Sequence, residues 1–164
     1  MQAITREQFA RLVKDAHIRP RLVRDLRFVP EEITDWPDRE LLAVTTRADT
    51  EGVLIAQLDE LYVLPFEIKR ITDKQTGRSR PITCDFCYTW QQGSNAASIT
   101  FTLGDDHARG FLCCADLDCS LHVRGKTAAS VLSRSQLHED ITAEQRIERL
   151  RSKLRALLPT VRLG

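Results

Sequence analysis

An α+β fold is predicted, with an antiparallel β-sheet between a helical N-terminal segment and an amphipathic C-terminal helix. Three observations carry this. Apolar residues at helical spacing give way to short β-branched runs at Leu41, and helical spacing returns only after Thr142. Two capping boxes, Thr5-Arg-Glu-Gln8 and Thr142-Ala-Glu-Gln145, mark helix starts at the two ends. All five cysteines crowd between Cys84 and Cys119, inside the strand-rich part. At 164 residues, 42% apolar and 29% charged, the chain has the make-up of a folded domain, not of a disordered one. Residues 1–35 read as a helical segment packing on the main α/β domain of residues 36–164.

In chain order, Phe9, Leu12, Val13 and Ala16 repeat at helical spacing behind the first capping box, which predicts a helix over 5–17. Pro20 opens a second short helix carrying Leu22, Val23 and Leu26. Pro30 and Pro37 bracket an acidic, turn-rich connector. Leu41–Thr46, Val53–Gln57 and Leu61–Leu64 are β-branched runs separated by charged turns, the pattern of an antiparallel meander. Pro65 argues against a central place for the strand it borders. A polar, basic loop from Thr72 to Pro81 leads into the first cysteine pair.

Cys84-Asp-Phe-Cys87 and Cys114-Ala-Asp-Leu-Asp-Cys119 stand 26 residues apart. Each pair brings two sulfurs to one ion, and Ser98–Leu103 with Phe111–Cys114 makes the hairpin between them, through turns at Gln91–Asn95 and Gly104–Gly110. Asp118–Arg124 is a short helix stopped by Gly125. Knuckle, hairpin and helix in that order make a treble clef, the last thiolate lying in the first helical turn, where the dipole favours the anion. Adjacent strand residues face opposite ways, so only one of Cys113 and Cys114 meets the metal. Cys114 is the choice; His122, three residues past Cys119, is the alternative ligand. Four thiolates close the coordination shell, so one structural Zn²⁺ is expected, worth on the order of 10 kcal/mol of coupled folding energy. No nucleophile–base pair stands out, so the chain is not expected to be an enzyme or to take a small-molecule substrate.

The final helix places Ile147, Leu150, Leu154, Leu157 and Leu158 on one stripe, to pack on the fold, with basic residues flanking it. Net charge is +1, but the chain alternates basic and acidic blocks, which allows a basic face toward RNA or an acidic protein. Few aromatics accompany the basic residues, which weakens single-strand stacking. No apolar run approaches the roughly 20 residues of a membrane span, and Met1–Glu7 lacks a signal pattern, so a cytoplasmic protein without membrane contact is expected.

From Cys84-x-x-Cys87 and Gly110-Phe-Leu-Cys-Cys114-Ala-Asp-Leu-Asp-Cys119-Ser-Leu-His-Val-Arg-Gly-Lys126, with the terminal Ile147-Glu-Arg-Leu-Arg151, the chain resembles the FBP-type treble-clef zinc-finger proteins, the elongation-factor-G-binding, fusidic-acid-resistance family. It is closest to the compact actinobacterial type, and the resemblance is specific over about 82–158. It implies zinc ligands at Cys84, Cys87, Cys114 and Cys119 and a protein that binds elongation factor G, the ribosome or both, and frees a factor stalled by the antibiotic. Two features depart from the family: residues 1–35 are too few for its fuller helical bundle, and Cys113 stands where an aliphatic residue is usual. Arg109, Arg124 and Lys126 are the expected partner contacts. A nucleic-acid-binding zinc finger, acting on rRNA or in transcription, is the alternative.

Overall fold

A computed structural model describes residues 1–72, 77, 81–91, 93–103, 107–127 and 140–162, with side chains for all of these but 103, 107 and 159–162. Its centre is a five-stranded antiparallel sheet in the order β1-β2-β3-β6-β7, formed by β1 (Leu41–Thr45), β2 (Glu51–Gln57), β3 (Leu61–Arg70), β6 (Ala96–Leu103) and β7 (His107–Cys114). A two-stranded ribbon, β4 (Ile82–Thr83) with β5 (Trp90–Gln91), carries the first cysteine pair.

The meander is present, but β3 runs through Pro65 to Arg70 and occupies the middle of the sheet, contrary to the expectation from that proline. The register explains how. Ile68 donates its N–H to Thr50 O across the β2 side, so by alternation the nitrogen of Pro65 faces the other way, toward β6. The pairing with β6 begins only at Phe66–Phe101, one residue later, so the missing donor breaks no ladder bond. Gly52 of β2 has a comparable local reason. A Cβ there would lie 2.4 Å from Val44 O and 2.8 Å from the ring of Phe66, which closes over it.

The sheet separates two apolar layers. On one face, α1 (Arg6–Asp15) and α2 (Pro20–Asp25) bring Phe9, Val13, Ile18 and Leu22 onto Leu42, Val44, Val53 and Ile55. The first capping box is formed, with Thr5 and Gln8 exchanging side-chain-to-backbone bonds. Phe9 stacks on Phe28 at 4.3 Å, and Trp36 closes the layer in the second of two 3₁₀ turns, Pro30–Glu32 and Trp36–Asp38. On the other face, α4 (Ala143–Arg162) lays Leu150, Leu154, Leu157 and Leu158 against Leu54, Phe66, Ile68, Ile99 and Phe101. Each of those leucines contributes about 2 kcal/mol of gross burial energy. Thr142 and Gln145 complete the second capping box. Covered on both sides, β2 reads as an unbroken apolar run, Val53–Ala56, not an alternating one.

Most of the basic loop expected at 72–81 and the turn at Gly104–Asp106 lie outside the described residues. The returning strand begins at His107, four residues earlier than its apolar part suggests.

Candidate metal centre

The first cysteine pair sits in a tight knuckle between β4 and β5. Tyr88 N–H donates to Cys84 O at 3.0 Å, and Cys84 N–H donates to Thr89 O at 2.9 Å. The turn puts Tyr88 at φ 59°, a left-handed conformation unusual for a bulky residue. Asp85 pins the knuckle to the edge of β7: its N–H bonds Leu112 O at 2.8 Å, and its carboxylate accepts Leu112 N–H at 2.7 Å. A sheet edge otherwise open to pairing is thereby covered.

The second pair arrives by a different route. Cys114 ends β7, and a turn with Leu117 at φ 53°, its N–H on Cys114 O at 3.1 Å, swings the chain into α3 (Cys119–Val123). Cys119 is the first residue of that helix. Gly125 N–H bonds His122 O and Lys126 N–H bonds Leu121 O, a Schellman stop with Gly125 at φ 66°.

These turns gather the sulfurs of Cys84, Cys87, Cys114 and Cys119, all buried, within 4.8 Å of one another. Sγ–Sγ distances are 3.7 Å for Cys84–Cys119, 3.5 Å for Cys87–Cys114 and 4.0 Å for Cys114–Cys119. A tetrahedron of sulfurs about 2.3 Å from zinc has edges of about 3.8 Å, so the donor set fits one ion. Without a cation, four enclosed thiols cannot all ionise. Hydrogen bonds from Cys114, Cys119 and Cys84 hold Cys87 well below the ordinary thiol range, while the bond to Cys114 pushes Cys119 well above it. Zn²⁺ supplies the charge that lets all four be thiolates, and with four sulfurs around it there is no open position for a substrate.

Cys113 pairs with Ala97 and lies in the core beneath α4, and its sulfur is not one of the four gathered at the centre. Burial pushes its thiol up, and it stays neutral. His122 comes close without being needed to complete the tetrahedron. Its Nδ1 is 3.3 Å from Cys114 Sγ and 3.9 Å from Cys87 Sγ. Its Nε2 is 3.4 Å from Asp116 Oδ2, at ion-pair distance but outside hydrogen-bond geometry. Burial alone lowers its pKa, but Asp116 and Cys87 outweigh this and raise it to about 10.

The residues expected to reach a partner divide differently. Arg109 is exposed on β7. Arg124, by contrast, does not project: its guanidinium is turned inward onto Glu40, with bonds of 2.6 and 2.7 Å, and its side chain is only 12% exposed. Lys126 bonds Asp38. With Arg39 on Asp118 at 2.9 Å and the Ser120 hydroxyl accepting the N–H groups of Glu40 and Leu41, these pairs bolt α3 to the start of β1. The Cys119-Ser-Leu-His-Val-Arg-Gly-Lys126 string is thus largely a fastening of the finger to the sheet. Nothing in the local sequence of Glu40 announced it as the acceptor. The exposed aromatics were also underestimated: Tyr88 is 39% and Trp90 46% exposed, both on the knuckle.

A closed four-sulfur centre with one pair in a knuckle and the last ligand opening a helix, set on an antiparallel sheet, defines a treble-clef zinc-finger protein. The chain belongs to the FBP C-terminal treble-clef zinc-finger family, whose sequence model matches residues 9–161. The match reaches back well before residue 82, so the N-terminal helices and the meander are part of what the family shares. No curated protein and no solved structure matches the chain.

Proposed function

We propose that the protein is a non-enzymatic docking module that binds elongation factor G on the ribosome and promotes its release, as its resemblance to the elongation-factor-G-binding proteins implies. One observation carries the reading at the level of side chains. Three of the four large apolar side chains exposed among the described residues, Tyr88, Trp90 and Leu112, surround the knuckle. Leu112 is joined to it by both bonds of Asp85. Arg149 lies over the Tyr88 ring at 4.4 Å and Lys153 at 5.9 Å, which adds a basic rim. Aromatic centre and arginine rim are the composition of a protein-contact hot spot. The closed sulfur shell supports a scaffold role for zinc. Among the described residues, no helix is long and apolar enough to cross a membrane.

Capture from nuclease-treated lysate tests this: elongation factor G is expected with the wild type, and about tenfold less with Tyr88→Ala/Trp90→Ala. Absence of the factor from wild-type captures with and without nuclease sinks the reading.

A second reading, RNA contact, is favoured by a groove of about 960 Å³ between α2 and the β1–β2 turn. Arg24, Arg27 and Arg47 line it. Its acids are answered, Asp25 by Arg24 at 3.5 Å and Glu51 by Arg19 at 3.8 Å, whereas Arg27 and Arg47 have no side-chain partner among the described residues. RNA capture that falls steeply with salt and is lost in Arg27→Gln/Arg47→Gln would support this reading over the first.

A further inference from the structure

Outside the four sulfurs, a ring of polar side chains leaves the metal centre at Cys87 and returns to it at Cys114. Thr89 Oγ1 is 2.9 Å from Cys87 Sγ. Gln91 Nε2 donates to Thr89 Oγ1 at 2.7 Å, and Asn95 Nδ2 donates to Gln91 Oε1 at 2.7 Å and to Asp116 Oδ2 at 2.9 Å. Asp116 faces His122, whose Nδ1 closes the circuit on Cys114. Gln91 is fully buried and His122 nearly so.

The direction of the ring is fixed by one backbone group. Asp116 N–H can only donate, and it donates to Asn95 Oδ1 at 3.1 Å. That orients the Asn95 amide, so its Nδ2 must face Gln91. Gln91 therefore presents its oxygen to Asn95 and its N–H to Thr89. Thr89 Oγ1, already accepting, has its own hydrogen left for the sulfur of Cys87. On the other arm a zinc-bound thiolate only accepts, so His122 Nδ1, 3.3 Å from Cys114 Sγ, meets it as the donor.

We propose that Thr89 and His122 are positioning residues of the zinc centre: each donates a hydrogen bond to a metal-bound thiolate, and the Gln91–Asn95 chain holds the threonine in that sense. The inference concerns the metal centre and is independent of which partner the protein binds. Donation to sulfur draws charge off the thiolate and fixes its direction toward the ion. Outer partners of this kind change metal affinity by about 10- to 100-fold in other sites. The two sulfurs so treated, Cys87 and Cys114, are themselves neighbours at 3.5 Å. Among the described residues no side-chain N–H or O–H is within bonding distance of Cys84 or Cys119, so the four thiolates are not equivalent.

The test compares Thr89→Val, which keeps the shape and removes the donor, with Thr89→Ser, which keeps the donor. Zinc affinity is measured by chelator competition, and the sulfur-to-metal charge-transfer band is measured on the cobalt-substituted protein. Thr89→Val is expected to bind zinc about tenfold more weakly and to move the band to longer wavelength, because sulfur lone pairs rise in energy when a donor is lost. Thr89→Ser is expected within about twofold of wild type, with the band in place. Valine within twofold and an unmoved band would overturn the proposal, and so would serine losing as much as valine, since shape alone would then matter. Should Thr89→Val fail to fold, Gln91→Met decides. It leaves the threonine in place but removes the bond that polarises it, and a smaller red shift with weaker zinc binding is expected; no change in either overturns the inference.

Discussion

The two faces of the sheet are covered to similar depth but held by different physics. The N-terminal face has an apolar core of Phe9, Val13, Ile18, Leu22 and Trp36 against four strand residues, with hydrogen bonds from Met1 and Arg27 at its margin. The opposite face has the leucine stripe of α4, but it also contains four sulfurs, the Asp116–His122 arm and the Glu40–Arg124 pair. Burial on the first face is graded, and losing one side chain costs about that side chain. The second face has components that work only as a set, because a buried charge or thiolate without its partner is worse than an apolar residue in its place. The metal belongs to the face where packing by itself is insufficient.

Removing the metal should break the comparison most visibly. Cys114→Ser is expected to hold no zinc and to lose most of the on the order of 10 kcal/mol that the site contributes, so the chain fails to fold at 37 °C. Cys113→Ala, one residue away, should retain one zinc per chain by elemental analysis and lose about 1 kcal/mol in urea unfolding. Equal zinc content in Cys114→Ser and wild type would show that the tetrahedron has a different fourth member. Next in size is Glu40→Ala. Glu40 is 3% exposed and answers both Arg124 and Arg151, the latter at 3.2 Å, so its loss leaves the inward-turned Arg124 guanidinium with only the Ser120 carbonyl and Asp38 at 3.6 Å and costs about 4 kcal/mol. On the N-terminal face, Phe9→Ala should cost about 3 kcal/mol while zinc affinity stays as in wild type. A fall in zinc affinity with Phe9→Ala would mean that the faces are coupled more tightly than their chemistry suggests.

Acid should also act unevenly. The hydrogen bond from Arg39 holds the Asp35 carboxyl below its ordinary pKa of 3.8. A carboxylate depressed in the fold binds its proton more readily in the unfolded chain. Its stabilisation is therefore complete above pH 3.8 and is lost as pH falls through the folded value. The stability gap between wild type and Asp35→Asn is thus expected to be constant at neutral pH and to close below pH 3.8, read from unfolding midpoints at each pH. A gap that widens toward acid would place the pair's contribution elsewhere.

How far the sequence discloses this depends on how local the signal is. Both capping boxes, the leucine stripe of α4 and the Gly125 stop are written within a few residues, and each has a direct structural counterpart. The cysteine spacing is equally local, and strand alternation is enough to separate Cys113 from Cys114. Pro65 misleads because its effect depends on which side of β3 lacks a partner at that residue, a matter of register with β6 far along the chain. Arg124 misleads for a related reason. A basic residue beside a finger reads as surface charge until Glu40, 84 positions earlier, is known to lie against it. The ring from Thr89 to His122 joins three separate segments, and no periodicity marks Gln91 or Asn95 as its members. Apolar patterns and caps are legible because they are near in sequence; polar pairs across the fold are not.

The smallest expected effect is the one that best separates scaffold from surface. Tyr88 at φ 59° stores roughly 1–2 kcal/mol that glycine would not, since a Cβ crowds the carbonyl in that conformation. Tyr88→Gly recovers this but gives back about 0.5–1 kcal/mol in chain entropy and a similar amount from the ring under Arg149. The net change in stability is expected to lie within about 0.5 kcal/mol, with zinc affinity unaltered. If the tyrosine serves only the fold, the variant should capture elongation factor G as well as wild type does. If the strain is retained because an aromatic must be presented there, capture should fall several-fold in a protein otherwise as stable as its parent. Unchanged stability with lost capture would place function in the knuckle's surface, whereas unchanged capture would move the search for the contact away from Tyr88, toward Trp90, Leu112 or the arginine groove.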